Sequence, residues 1–77
     1  MDNNYKQLAY AIIKVAYEDL RDSLIAWTDN KTVYNKQRVL YNARYFYGEQ
    51  FNTFTQSLNY VGNDIVMPLL DTYGFQL

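Results

Sequence analysis

The chain has 77 residues, 49% of them hydrophobic, and its seven basic and eight acidic residues give a net charge of −1. It contains no cysteine and no histidine, which excludes disulfides, thiolate chemistry and the commonest general base and metal ligand. A chain this short supports one hydrophobic core, so residues 1–77 are expected to form a single helical domain.

The first predicted helix runs from Tyr5 to Trp27, where apolar residues recur at spacings of three and four and no glycine or proline intervenes. Its apolar face comprises Tyr5, Leu8, Ala9, Ile12, Ile13, Ala16, Leu20, Leu24 and Trp27. Asn3 or Asn4 is expected to cap the helix, and Asp29 and Asn30 supply turn residues after its end.

A second helix is predicted from about Thr32 to Tyr47, with Thr32 as N-cap and Gly48 as the stop. At about 100° per residue, two faces are apparent. The apolar face, expected to pack on the first helix, comprises Val33, Leu40, Ala43 and Tyr47, with Val39 and Phe46 at its flank. The other face, about half a turn away, comprises Tyr34, Arg38, Tyr41 and Tyr45.

The C-terminal third is expected to be helical but interrupted. Glu49 to Ser57 predicts a short helical turn that buries Phe51 and Phe54, and residues 59–63 predict a connection. A last helix is predicted from about Asp64 to Thr72, capped by Asn63, bent or shortened by Pro68 and ended by Gly74. Its predicted buried side comprises Ile65, Val66, Leu69 and Leu70.

These elements predict an all-α fold. We expect a small helical bundle with one long N-terminal helix, a second four-turn helix and a short C-terminal helical segment that packs across both. No run of residues alternates with the period of two that is typical of strands.

The second helix also carries the candidate binding site. Positions 30–48 hold four basic residues and no acidic one, whereas both flanking segments are acidic. Tyrosine and arginine are over-represented where proteins bind each other. We therefore predict a partner-binding surface at Tyr34, Arg38, Tyr41 and Tyr45, with Lys31 and Arg44 at its rim. The alternative is that these rings pack against the C-terminal segment and only their hydroxyls reach the surface.

Enzymatic chemistry is not expected. The serines have no histidine to activate them, and the three glycines are isolated, so no phosphate-binding loop is present. We interpret Glu18 and Asp22 as a solvated acidic face moderated by Arg21 rather than as a metal site, and we expect no cofactor. The N-terminus lacks a basic signal region and no apolar run approaches 20 residues, so we expect a cytoplasmic protein without a membrane partner.

Two stretches of the sequence resemble a known group of proteins. Residues 11–21 are similar to the pattern A-I-I-x-x-A-x-x-D-(Y/L)-R, and residues 45–51 with residues 58–70 resemble an aromatic and aliphatic tail. Both patterns occur in small helical accessory proteins of Firmicutes phages and prophages. The resemblance implies an all-helical fold and a bacterial host cell. It implies no defined activity. By analogy with small phage proteins that dock on a host or defence protein and block it, we expect a protein that inhibits its partner by steric occlusion, as anti-CRISPR proteins do.

Two other functions fit the same residues. Basic residues interleaved with aromatic ones grip single-stranded nucleic acid, which makes Lys31, Lys36, Arg38 and Arg44 the candidates in a nucleic-acid-binding regulator. A homo-oligomer whose tyrosine surface pairs with itself is the other alternative.

Overall fold

The computed structural model of the chain describes residues 2–55 and 61–77, except for the side chains of residues 2–4 and 54. Four helices occur in this part of the chain: α1 (Asp2–Asp29), α2 (Val33–Tyr45), α3 (Glu49–Thr55) and α4 (Gly62–Thr72). The same residues contain no strand, which confirms the all-α prediction. Ser57, the Phe54 side chain and residues 59 and 60 of the predicted connection at 59–63 lie outside the described residues, and α4 already begins at Gly62.

Helix α1 is longer than predicted at both ends. It has 28 residues and therefore spans about 42 Å. Because Asn3 and Asn4 lie inside the helix, the prediction that one of them caps it is wrong. Asp29 is the last helical residue, and the Asn30 N–H still donates to the Ala26 carbonyl at 3.0 Å.

Helices α1 and α2 form an antiparallel hairpin whose register is fixed by two asparagine side chains. The Asn35 Nδ2 group donates to the carbonyls of Ala26 (3.3 Å) and Asn30 (2.7 Å). The Asn42 Nδ2 group donates to the Asp19 carbonyl at 3.3 Å. Asn35 therefore lies level with Ala26, and Asn42 lies level with Asp19.

The predicted cap of α2 is confirmed. Thr32 has extended backbone angles, and its Oγ1 accepts a hydrogen bond from the Asn35 N–H at 3.1 Å. The helix ends two residues earlier than predicted, at Tyr45, and Phe46 is its C-cap. Gly48 follows in the turn that leads into α3.

All four helices contribute to one hydrophobic core. Its buried members are Leu20, Leu24, Val39, Ala43, Phe46, Phe51, Val66, Leu69, Leu70 and Phe75. Each large aliphatic or aromatic side chain buried in this way stabilises the fold by about 1.5–3 kcal/mol, so the core is the main stabilising feature of the domain.

The inward face of α2 differs from the predicted one. Val39, Ala43 and Phe46 are buried, whereas Val33 is 76% exposed and Tyr47 is 47% exposed. Val33 projects roughly a third of a turn away from the three buried residues. Tyr47 lies beyond the end of the helix, where helical periodicity no longer applies, and its hydroxyl donates to Asn63 Oδ1 at 3.0 Å.

Helix α4 buries the side that the sequence predicts. Val66, Leu69 and Leu70 are buried, and Ile65 packs at the edge of the core. The N-cap is Val61 and not Asn63, and no side chain caps the helix. The helix has 11 residues, about three turns, so Pro68 removes one backbone hydrogen-bond donor without confining it to the predicted turn or two.

Gly74 ends α4 as predicted, and the end of the helix is a Schellman motif. Gly74 has a φ of 69°, its N–H donates to the Asp71 carbonyl at 3.1 Å, and the Phe75 N–H donates to the Leu70 carbonyl at 3.0 Å. The left-handed residue turns the chain back so that Phe75 enters the core. Its ring lies edge-on to Trp27 with the ring centroids 4.8 Å apart.

Candidate functional site

Two of the predicted binding tyrosines stand in solvent on α2. Tyr34 is 71% exposed and Tyr41 is 75% exposed, and Arg38 between them is exposed as well. Their spacings of four and three place them on one face of the helix, directed away from Val39 and Ala43 in the core. These three residues are called the tyrosine–arginine face below.

Tyr45 does not share this outward orientation, which corrects the expectation that it is an exposed anchor. It is half-buried, and its ring lies edge-on to Phe46 (5.8 Å between centroids) and Phe51 (5.9 Å). The reason is that α2 ends at Tyr45 and α3 brings Phe51 against the ring. Its hydroxyl oxygen is buried with no hydrogen-bond partner in the described part of the chain, and burial raises the pKa of the phenol above 10.

The cations around this face are mostly unpaired. Within residues 2–55 and 61–77, no ion pair involves Lys36, Arg38 or Arg44. Lys31 places its Nζ 4.9 Å from the centre of the Trp27 ring, a cation–π contact. A positive surface with aromatic rings in it is therefore available to a partner.

Two acidic residues of α1, Glu18 and Asp22, form a local network with Arg21. Arg21 lies 4.0 Å from Glu18 and 3.7 Å from Asp22, and all three side chains are at least 40% exposed. Among the residues that the structure describes, no group of three or more histidine, cysteine or acidic side chains is arranged to hold a metal ion.

The structure also contains a furrow that the sequence analysis missed. A groove of about 800 Å³ runs between α1 and α2, and a second groove of about 550 Å³ continues along the same seam. The first is lined by Ala11, Ile12, Val15, Ala16, Asp19, Tyr41, Asn42, Arg44, Tyr45, Gly48, Glu49 and Gln50. The second is lined by Asp19, Asp22, Tyr34, Gln37, Arg38, Tyr41 and Asn42.

The two grooves share Asp19, Tyr41 and Asn42, so we treat them as one α1–α2 furrow. One half is apolar, because its α1 wall is formed by Ile12, Val15 and two alanines. The other half is charged, with acidic residues on the α1 wall and Arg38 on the α2 wall. Tyr41 lines both halves and therefore lies where they meet.

The apolar wall of this furrow is part of a second apolar edge of α1. Leu8 and Val15 are 56% and 57% exposed, and Ile12 is half-buried between them. Leu8 and Ile12 belong to the predicted apolar face of α1, and Val15 does not. The signal in the sequence was the width of the apolar arc of α1, which is broader than the face that a single neighbouring helix, α2, can cover.

The arrangement suits recognition by surface contact, since exposed rings, unpaired cations and an apolar furrow lie side by side.

No helix within the described residues is long and apolar enough to span a lipid bilayer. Compared with protein-family models, curated proteins and solved structures, the chain matches none of them.

Proposed function

We propose that the chain is a non-enzymatic binding protein that docks on another protein through its tyrosine–arginine face and the adjoining α1–α2 furrow. The observation that carries this proposal is the exposure of Tyr34 and Tyr41, each above 70%, on either side of an exposed arginine. Tyrosine and arginine supply much of the binding energy at protein interfaces, because they are large, amphipathic and able to hydrogen-bond.

The charges indicate which kind of partner fits. Arg38 and Arg44, which line the furrow, have no ion pair in the described residues, and positions 30–48 contain no acidic residue. An acidic rim on the partner would complement these cations, whereas a basic surface would be repelled. The partner in this proposal therefore presents a pocket for a tyrosine ring bordered by carboxylates.

The biological setting in the proposal follows the sequence resemblance to phage and prophage proteins. In that setting the partner is a host or defence protein in the bacterial cytoplasm, and the chain inhibits it by steric occlusion, in the manner of an anti-CRISPR protein. Occlusion needs no catalytic group. It needs only a face that binds tightly enough to keep the partner's own ligand away.

A pull-down from a bacterial lysate tests the docking face. The bait variants are Tyr41→Ala with Arg38→Ala, and the matched control is Val33→Ala with Lys36→Ala, which also truncates an apolar and a basic exposed residue of α2 but lines neither groove. We expect the control to retain the partner. The Tyr41→Ala, Arg38→Ala variant should lose at least about tenfold in affinity for the partner, as for hot-spot residues. A partner that both variants retain equally would overturn the proposed face.

The same variants distinguish protein docking from the nucleic-acid alternative. Phosphate contacts act through charge, so Lys36→Ala and Arg38→Ala would weaken DNA or RNA binding to a similar extent, and binding would fall steeply with salt. We expect no such binding by the purified chain at low salt. Salt-sensitive binding that the control variant weakens as much as the test variant would favour the alternative.

A further inference from the structure

The two walls of the charged half of the furrow carry opposite charge. Asp19 and Asp22 lie on the α1 wall, and Arg38 lies on the α2 wall. The hydrogen bonds of Asn35 to Ala26 and of Asn42 to Asp19 set the register of the two helices. In this register Arg38 lies level with the Asp22 turn of α1.

The apolar half of the furrow has the same two-sided character. Ile12 and Val15 line the α1 wall, and the Tyr41 and Tyr45 rings line the α2 wall. A two-fold axis parallel to the furrow would place the α1 wall of one copy over the α2 wall of another at the same level. Carboxylates would then face guanidinium groups, and aliphatic side chains would face phenol rings.

We propose that a second copy of this chain occupies the α1–α2 furrow, in a symmetric dimer with Asp22 of each copy opposite Arg38 of the other. A two-fold interface requires one patch to be complementary to itself, and opposite charges at one level on facing walls meet that requirement. Arg38 and Asp19 have no ion pair in the described chain, and Asp22 has only an exposed contact with Arg21 at 3.7 Å. The dimer forms its ion pairs without breaking a buried one.

Dimerisation regulates the docking face, an inference that rests on the proposed function. The dimer covers Tyr34 and Tyr41, which line the furrow and carry the proposed docking. A partner and a second copy therefore compete, and the monomer is the species that docks. Dilution or a tight-binding partner shifts the equilibrium toward it.

Sedimentation equilibrium of the purified chain tests the dimer without any partner. We expect a reversible dimer whose Kd rises at least about tenfold in R38D and in D22R, because each variant places like charges opposite each other. In an equimolar mixture of the two variants the dimer should return, since each copy supplies the charge that the other has lost. Only pairing between copies explains that rescue.

The control is K36D, which makes the same charge change on an exposed residue of α2 that lines neither groove, and it should dimerise like the parent chain. Circular dichroism verifies that each variant is folded. The proposal is overturned by a monomer at millimolar concentration, by a mixture no tighter than the single variants, or by K36D acting like R38D. None of these results affects the pull-down, so the two proposals fail separately.

Discussion

Tyr45 holds a hydroxyl group that nothing in the described residues hydrogen-bonds, although the oxygen is buried. An unsatisfied buried hydroxyl costs free energy, because it has lost its water without gaining a partner. We therefore predict that Tyr45→Phe raises the free energy of unfolding by about 1 kcal/mol, measured by urea denaturation at neutral pH. Tyr41→Phe is the control and should change nothing, since Tyr41 is 75% exposed. A loss of stability in Tyr45→Phe would contradict the orphaned hydroxyl.

The same phenol predicts a difference at alkaline pH. Burial raises the pKa of Tyr45 in the folded chain above its ordinary value of 10.0. The folded state thus favours the protonated phenol, and this contribution is complete below the unfolded pKa and lost as the pH rises through the folded one. The stability advantage of Tyr45→Phe over the parent chain should widen above about pH 10, followed by repeating the urea titrations at rising pH. A constant difference across that range would count against the shift.

Gly62 is required by a close approach between backbone segments. A Cβ atom at this position would overlap the Phe46 carbonyl group, whose carbon would lie only 2.7 Å away. Backbone cannot move aside as the end of a flexible side chain can, so Gly62→Ala should cost more than about 2 kcal/mol, typical of overpacking. Gly48→Ala is the control, because its Cβ would meet nothing closer than 3.5 Å. Equal melting temperatures for the two variants would disprove this account.

At the scale of elements, the start of α2 depends on one side chain. Thr32 Oγ1 accepts the Asn35 N–H, one of the backbone donors that has no partner within the helix. We predict that Thr32→Ala lowers the free energy of unfolding by about 1 kcal/mol and that Thr32→Ser is close to neutral, both measured by thermal denaturation. A large loss in the serine variant would show that the threonine methyl group, and not the cap, matters.

Helix starts and stops of this kind were predictable where a local signal sets them. Thr32 and Gly74 act through bonds to residues at most five positions away, so the sequence around them carries the information. Asn63 failed as a cap because α4 begins earlier, at Gly62. That start coincides with the close approach to Phe46, which is distant in sequence and leaves no local pattern.

The inward face of α2 and the furrow were not predictable for the same reason. The periodicity of α2 shows that the helix is two-sided. Val33 and Tyr47 were wrongly placed on its apolar face, because they lie at or beyond the two ends of α2, where contacts with α1 and the following turn determine burial. Tyr34, Arg38 and Tyr41 are exposed on one face of α2, as its periodicity predicts, and their role in binding stays a prediction. Tyr45 departed from this face only because Phe51 of α3 packs on the ring.

At the scale of the molecule, one long helix sets the shape and the other three set the core. The dimensions are 44 × 19 × 17 Å, and the longest matches the length of about 42 Å expected for α1. Residues from every helix meet in the single core, and Phe75 joins it after the last helix has ended. Phe75 is thus a structural member of the bundle although it lies outside the helices.

Removing that last ring should weaken the whole domain. Phe75 is 3% exposed and stacks edge-on against Trp27, so Phe75→Ala should cost about 3–5 kcal/mol. Leu77→Ala is the control two residues away, where the side chain is 69% exposed and the effect should be within about 0.5 kcal/mol. Calorimetry measures both as shifts in melting temperature. A tolerated Phe75→Ala would show that the core closes without the C-terminus.

The contact of Lys31 with Trp27 makes docking at Lys31 detectable without a label. Trp27 is the only tryptophan of the chain, and the centre of its ring lies 4.8 Å from the Phe75 ring and 4.9 Å from the Lys31 ammonium group. A partner that draws the Lys31 ammonium group off the indole would change the fluorescence emission of Trp27. A partner confined to Tyr34 and Tyr41 would leave the emission as it is. The fluorescence emission of Trp27 thus reports whether a bound partner extends past the start of α2 to Lys31.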